Sequence, residues 1–123
     1  MADKYINIGG HKVTTSKDVQ HKHKTIDYGG SVDCYKWGNV VMVTLDNFTT
    51  APPVSSDVNI QIFDSTENDW KPIVRAWNAI SFTGGLDNTT MSMASIRTDG
   101  VLNFYTYITA AYARATFTYI SQG

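Results

Sequence analysis

Apolar and polar residues alternate on both sides of Asp99-Gly100, and this pattern predicts a β-hairpin. After the turn, one face carries Leu102, Phe104, Thr106 and Ile108, and the other carries Asn103, Tyr105 and Tyr107. Before the turn, Ala94 and Ile96 share a face opposite Met93 and Ser95. Asp-Gly is a strong signal for a type I′ turn, which needs positive φ at both central residues. We therefore expect a tight hairpin whose second strand has one apolar face and one face lined with tyrosines.

Shorter runs of the same kind predict further strands over 32–37, 40–45, 58–63, 72–77, 79–83 and 112–120, with a break near Asn78. In 58–63 the apolar residues Val58, Ile60 and Ile62 are expected to point inward. Ala113, Ala115, Phe117 and Tyr119 are expected to share one face of the last strand. Turn-forming residues predict loops over 49–57, 64–69 and 84–88. No segment combines sustained helical periodicity with capping signals. The pattern is typical of an all-β protein, an antiparallel sandwich or barrel.

Residues 1–30 differ from the rest of the chain. They are polar and contain His11, His21 and His23 together with a cluster of lysines. We interpret them as an N-terminal arm or short edge strands leading into one domain over residues 31–123, because 123 residues suffice for a single core but not for two.

Composition narrows the function classes. With 42% hydrophobic and 17% charged residues, the chain is neither disordered nor a membrane protein by composition. A formal net charge of -1 argues against nucleic acid or an anionic membrane as the main partner. The N-terminus lacks the apolar core of a signal peptide, and the single cysteine, Cys34, predicts a buried thiol rather than a disulfide.

Four segments stand in an order and at spacings that resemble a known family. They are the WGNVVMV run over 37–43, Pro72-Ile73-Val74, the Thr98-Asp99-Gly100 turn within 96–102, and Phe117-Thr118-Tyr119-Ile120. Together they resemble the C-terminal head (receptor-binding) domain of tail-fibre proteins from phages of Gram-positive bacteria and related prophage or tailocin particles. The resemblance implies a jelly-roll-like sandwich, usually a homotrimer, that binds cell-surface polysaccharide or protein at the tip of a fibre.

Catalysis is not expected from these residues. A nucleophile needs a neighbouring base, yet the histidines all lie in the polar arm and no G-x-S-x-G motif is present. Paired carboxylates for glycoside cleavage would have to come from Asp64, Glu67, Asp69, Asp87 or Asp99. All five lie in predicted turns or in a solvated acidic loop, where Asp is favoured for backbone reasons alone.

A transition-metal site is one interpretation of His21-x-His23. The two imidazoles lie on the same side of an extended strand. In a trimer whose arms follow the threefold axis, three copies would supply six imidazoles to one metal, an arrangement that phage fibres use. The alternative is a solvated segment, because this single motif is flanked by lysines. We expect no other cofactor.

Sugar-binding sites combine a flat aromatic ring with neighbouring hydrogen-bonding groups. The candidates outside the predicted core faces are Trp70, Trp77, Asn103, Tyr105, Tyr107, Tyr112 and Arg114. Trp77 shares a face with Ile73 and Arg75, and both a core and a ligand role stay open for it. The outer face of the Tyr105 strand could equally be a subunit contact, where aromatic residues are enriched.

We therefore expect a non-enzymatic receptor-binding head of a phage-type tail. It would be made in the bacterial cytoplasm without a signal peptide and located in the virion tail. Its partners would be its own copies in a homotrimer, bacterial cell-surface polysaccharide or protein, and other tail proteins, with no nucleic acid and no membrane insertion. The alternatives are a structural tail or baseplate assembly module and a carbohydrate-binding module attached to a cell-wall enzyme.

Overall fold

The main element of the protein is one antiparallel sheet of eight strands, curled into a half-barrel. The computed structural model describes residues 5–8, 11–14, 19–84 and 88–123. In chain order the strands are β1 (Tyr5–Ile8), β2 (His11–Thr14), β3 (Val19–Ile26), β4 (Gly30–Trp37), β5 (Val40–Leu45), β6 (Ser56–Gln61), β7 (Ala76–Gly84), β8 (Asn88–Ile96), β9 (Val101–Thr106) and β10 (Tyr112–Ile120). β1 and β2 pair in a two-stranded sheet, and the large sheet has the order β3-β4-β5-β10-β7-β8-β9-β6. The predicted all-β, antiparallel class is confirmed.

The polar N-terminal residues contribute one strand to the large sheet. β3 pairs along its whole length with β4, from Val19 opposite Trp37 to Ile26 opposite Gly30, and forms one edge of the sheet. The rest of the predicted arm includes residues 1–4, 9–10 and 15–18, which lie outside the described residues.

Strand β10 joins the two halves of the sheet. Its residues Tyr112, Ala113 and Arg114 pair with β7, whereas Ala115 to Ile120 pair with β5. Where β10 leaves β7, the side-chain amide of Asn78 donates a hydrogen bond to the carbonyl oxygen of Thr116 at 2.5 Å. The predicted break near Asn78 is wrong: β7 is continuous, because it pairs with β8 from Ala76 to Gly84, with Asn78 opposite Ala94.

Alternation along the strands separates an inner face, where the core lies, from an outer face. The β10 side chains alternate strictly between exposed and buried. The predicted inward positions of residues 58–63, β9 and β10 are confirmed for Val58, Ile60, Ile62, Leu102, Phe104, Ala113, Ala115, Phe117 and Tyr119. The Phe104 ring lies 6.0 Å from that of Phe48 and 5.5 Å from that of Phe82. Cys34 is fully buried as predicted, and burial raises the pKa of its thiol to about 12.

The loop between β6 and β7 packs onto the inner face. Phe63 and Trp70 stack at 6.0 Å and are 0% and 2% exposed. The Tyr119 hydroxyl donates a hydrogen bond to the carbonyl oxygen of Trp70 at 2.6 Å. The prediction that Trp70 lies outside the core is therefore wrong, because its indole ring covers the inner face beside β3, β4 and β10.

Helical structure in the described ranges consists of two short 3-10 turns, Asp27–Gly29 and Asn68–Trp70. Within the same ranges, no helix is long and apolar enough to cross a membrane.

The turn between β8 and β9 has one more residue than a type I′ hairpin. The amide of Gly100 donates to the carbonyl of Arg97, and the amide of Arg97 donates to the carbonyl of Val101, both at 2.9 Å. Of the three loop residues Thr98, Asp99 and Gly100, only Gly100 has positive φ, at 81°. The hairpin is as predicted, but the loop is a type I turn followed by a glycine bulge, which needs a left-handed residue at one position instead of two.

Gly100→Ala is expected to destabilise the protein by about 2 kcal/mol. The added Cβ would carry the strain of φ 81° and would lie 2.6 Å from the carbonyl oxygen of Phe63. Gly38→Ala is the matched control, since Gly38 has φ 57° in the β4–β5 turn and a Cβ added there would meet nothing within 4 Å, so about 1 kcal/mol is expected from strain alone. Urea unfolding of both variants measures the difference, and equal losses would contradict the close contact with Phe63.

Candidate functional site

A groove of about 360 Å³ lies on the outer face where β7 meets β10. It is lined by Asn47, Ser81, Thr83, Tyr112 and Arg114. Register explains the arrangement, because Tyr112 pairs with Thr83 and Arg114 pairs with Ser81, so that directly opposite side chains project together. Asn47 arrives from the loop after β5 and is held there because its Oδ1 accepts a hydrogen bond from the Ala113 amide at 3.1 Å.

The groove brings together one phenol ring, one guanidinium, the hydroxyls of Ser81 and Thr83, and one amide. Tyr112 is 66% exposed and supplies the flat apolar surface. These are the groups that a shallow sugar site uses, since the ring stacks on C–H groups and the polar side chains bind hydroxyls. The predicted pair Tyr112 and Arg114 is thus placed in one site. Alternation on β7 would have indicated Ser81 and Thr83, whereas no local sequence signal indicates Asn47.

A second group of polar and aromatic side chains lies on the outer face of β7, β8 and β9. We call Arg75, Trp77, Ser95 and Asn103 the Trp–Arg cluster. The guanidinium carbon of Arg75 lies 4.2 Å from the centre of the Trp77 ring. Its Nε donates to the Ser95 hydroxyl at 2.8 Å, and its Nη2 donates to Oδ1 of Asn103 at 3.0 Å. Two predicted candidates, Trp77 and Asn103, therefore meet through Arg75, and Trp77 is 56% exposed rather than in the core.

The register of the sheet builds this cluster. Trp77 pairs with Ser95, Ser95 with Asn103, and Asn103 with Asn59, which forms a row across four strands. The Asn103 amide nitrogen donates to Asp57 at 2.8 Å and to Asn59 at 2.9 Å. Because both bonds hold the amide nitrogen of Asn103, its amide oxygen points towards Arg75.

Tyr105 and Tyr107 project outward as the alternation predicts. Their ring centres are 4.8 Å apart, and the residues are 38% and 59% exposed. Met91 and Met93 on the neighbouring strand β8 are also exposed. In the described part of the chain, no hydrogen bond or ring contact joins this tyrosine pair to the Trp–Arg cluster or to the groove.

His21 and His23 share the outer face of β3, as predicted for an extended strand. Nε2 of His21 and Nδ1 of His23 lie 2.9 and 3.0 Å from the same carboxylate oxygen of Asp33. The hydrogen bond with His21 has the largest effect on the pKa of Asp33, and together with the bond to His23 it holds that pKa below its ordinary value. The His21 ring also stacks on Tyr35 at 4.7 Å. Over residues 19–84 and 88–123, no group of three or more metal-binding side chains is arranged around a common point. The metal site at His21 and His23 stays a prediction.

The acidic residues considered for catalysis have structural partners wherever the structure describes them. Asp64 accepts hydrogen bonds from the backbone and hydroxyl of Thr66, Asp69 lies 3.6 Å from Lys36, and Asp99 binds Arg97 at 2.6 Å. Asp87 lies outside the described residues.

Glu67 corrects the prediction of a solvated acidic loop. It is 8% exposed on the inner face and binds the amines of both Lys22 and Lys24. Burial raises the pKa of Glu67, but hydrogen bonds from Lys22, Lys24 and the Asp64 amide outweigh it, so that the net shift is downward. Inward-pointing lysines on β3 also protect this sheet edge against pairing with other chains.

In comparisons with known proteins, no protein-family model and no curated protein matches the sequence.

Proposed function

We propose that this protein is a non-catalytic adhesion head that binds a cell-surface glycan on its outer face. The groove carries the proposal, because it sets the exposed ring of Tyr112 beside the guanidinium of Arg114 and the polar side chains of Asn47, Ser81 and Thr83. A sugar ring stacked on Tyr112 would have hydrogen-bonding groups on two sides.

The site is shallow, so a single copy is expected to bind weakly. Avidity overcomes this limit when several heads act together, because the second contact becomes intramolecular. The sequence resemblance supports the setting, a phage-type tail with this chain as a homotrimeric head. The proposal includes a jelly-roll-like arrangement in which the two halves joined by β10 are the two layers of a sandwich.

A structural assembly module is the second candidate. The exposed residues Met91, Met93, Tyr105 and Tyr107 favour it, because exposed apolar side chains grouped on one face are typical of protein–protein interfaces. In that case these side chains would contact other tail proteins or another subunit instead of a sugar.

Tyr112→Ala is expected to weaken binding to bacterial cell-wall polysaccharide about tenfold, through loss of the stacking surface. Isothermal titration calorimetry with purified cell-wall polysaccharide measures the change. Ile120→Ala is the matched control, because Ile120 is 44% exposed on the same face of β10 but lies about 26 Å along the strand from Tyr112.

Equal affinity of the Tyr112→Ala and Ile120→Ala proteins would overturn the groove as the binding site. Absence of any glycan binding by the unmodified protein would overturn the adhesion proposal itself. Light scattering behind a sizing column tests the assembly: a trimer supports the fibre-head setting, and a monomer favours a module attached to a cell-wall enzyme.

A further inference from the structure

We propose that the Trp–Arg cluster is a second sugar subsite, selective for a sugar that carries an anionic group. Trp77 would stack against the pyranose ring, and Arg75 would bind the carboxylate or phosphate of the same sugar. This inference rests on the proposed glycan-binding function and assigns a class of ligand to it.

The guanidinium of Arg75 is fixed in position while part of its donor capacity stays open. Of its five N–H donors, two are used within the described chain, one by Ser95 and one by Asn103. The remaining three donors are the two hydrogens of Nη1 and one of Nη2, and the terminal edge of a guanidinium presents one hydrogen from each of these two nitrogens. Two donors on one edge match the spacing of two carboxylate or phosphate oxygens, so this edge can bind an anion in a bidentate manner.

No carboxylate of the described residues contacts the Arg75 guanidinium directly. Both hydrogen-bond acceptors are neutral, a hydroxyl and an amide oxygen. Among the described residues Arg75 forms no salt bridge, and Asp57 reaches it only through the Asn103 amide. Asp57 therefore acts mainly to orient Asn103, and an external anion would meet a preorganised cation, which lowers the entropic cost of binding.

Trp77 supplies the platform that distinguishes a sugar from a free anion. One face of its indole ring is covered by the guanidinium at 4.2 Å, yet the residue is still 56% exposed. More than half of the surface of Trp77 therefore stays available to a ligand while Arg75 is stacked on it. The Arg75 guanidinium stacks on the Trp77 ring and donates to the hydroxyl of Ser95, which is 0% exposed. These contacts hold the guanidinium and the indole ring on the same side of the sheet.

Three probes with the same pyranose ring test the inference: glucose, glucuronate and glucose 6-phosphate, titrated at equal ionic strength into the isotope-labelled protein. The readouts are the NMR signals of the Trp77 indole N–H and the Arg75 Nε–H. We expect an anionic probe to bind this cluster about tenfold more tightly than glucose. Comparison of glucuronate with glucose 6-phosphate distinguishes a carboxylate ligand from a phosphate ligand.

Arg75→Gln is expected to abolish this preference, and Arg75→Lys to restore only part of it, because lysine keeps the charge but not the fork of donors. Arg97→Gln is the charge-matched control, since Arg97 binds Asp99 beside the β8–β9 turn. Equal binding of all three probes at Trp77 would overturn the inference. An unchanged NMR signal of Trp77 in a protein that binds glycan through Tyr112 would also overturn the inference. In both cases the adhesion proposal would stand. Failure of all three probes at Trp77, together with no binding of cell-wall polysaccharide by the unmodified protein, would overturn the adhesion proposal as well.

Discussion

Replacing Phe104 with alanine is expected to lower the free energy of unfolding by about 4 kcal/mol. Phe104 is 1% exposed and its ring contacts Phe48, from the loop after β5, and Phe82 on β7. Truncation would remove the buried ring and leave a cavity beside the rings of Phe48 and Phe82. Urea unfolding followed by tryptophan fluorescence measures the loss, because Trp70 lies in the same core.

The neighbouring residue gives the control for this substitution. Tyr105 lies on the same strand but faces outward, so Tyr105→Ala is expected to cost less than about 1 kcal/mol. A similar cost for both variants would contradict the assignment of inner and outer faces on β9.

Glu67→Ala is expected to destabilise the protein by about 3 kcal/mol, because it leaves the amines of Lys22 and Lys24 without their shared carboxylate. The side chain of Glu67 is 10% exposed and that of Lys24 is 23% exposed, so water compensates them only in part. The loss is also expected to loosen β3, whose lysines reach Glu67 from the sheet edge. Hydrogen exchange of the β3 and β4 amides would locate the effect.

Asp99→Asn is the control, because it removes one carboxylate from an ion pair that is exposed on both sides. The side chains of Asp99 and Arg97 are 51% and 43% exposed, so a cost below about 1 kcal/mol is expected. The loss of stability expected at acid pH follows from the lowered pKa of Glu67. Its contribution is complete above the ordinary pKa of 4.5 and is lost as the pH falls through the lower folded value. If Glu67→Ala and the unmodified protein lost stability in parallel down to this range, Glu67 would not be the group responsible.

Period-two alternation was sufficient to predict the faces of β6, β9 and β10, because each of these strands buries one face and exposes the other. The same rule predicted that Tyr112 and Arg114 project together. It failed for the loop between β6 and β7, since burial there depends on contacts from distant strands. Trp70 and Glu67 are surrounded by acidic and polar residues in sequence, yet their partners Lys22, Lys24 and Tyr119 come from both ends of the chain.

The two candidate sites show the same limit. Trp77 and Arg75 are two residues apart and therefore share one face of the extended chain, so their contact follows from local geometry. The position of Asn103 beside them depends on the register of β7, β8 and β9, which a single sequence does not specify beyond the hairpin turn. Asn47 is brought to the groove by the pairing of β5 with β10, two strands far apart in the chain.

The double pairing of β10 has a consequence for biosynthesis. During translation β5 and β7 are made before β10, and until that strand emerges each lacks one of its two neighbours and exposes unpaired backbone groups along that edge. The nascent chain therefore holds two incomplete half-sheets that the last strand must bridge, a set of long-range pairings of the kind that folds slowly. Closure of the domain, and with it assembly of the groove at Tyr112 and Arg114, is expected to occur only after synthesis has passed Ile120.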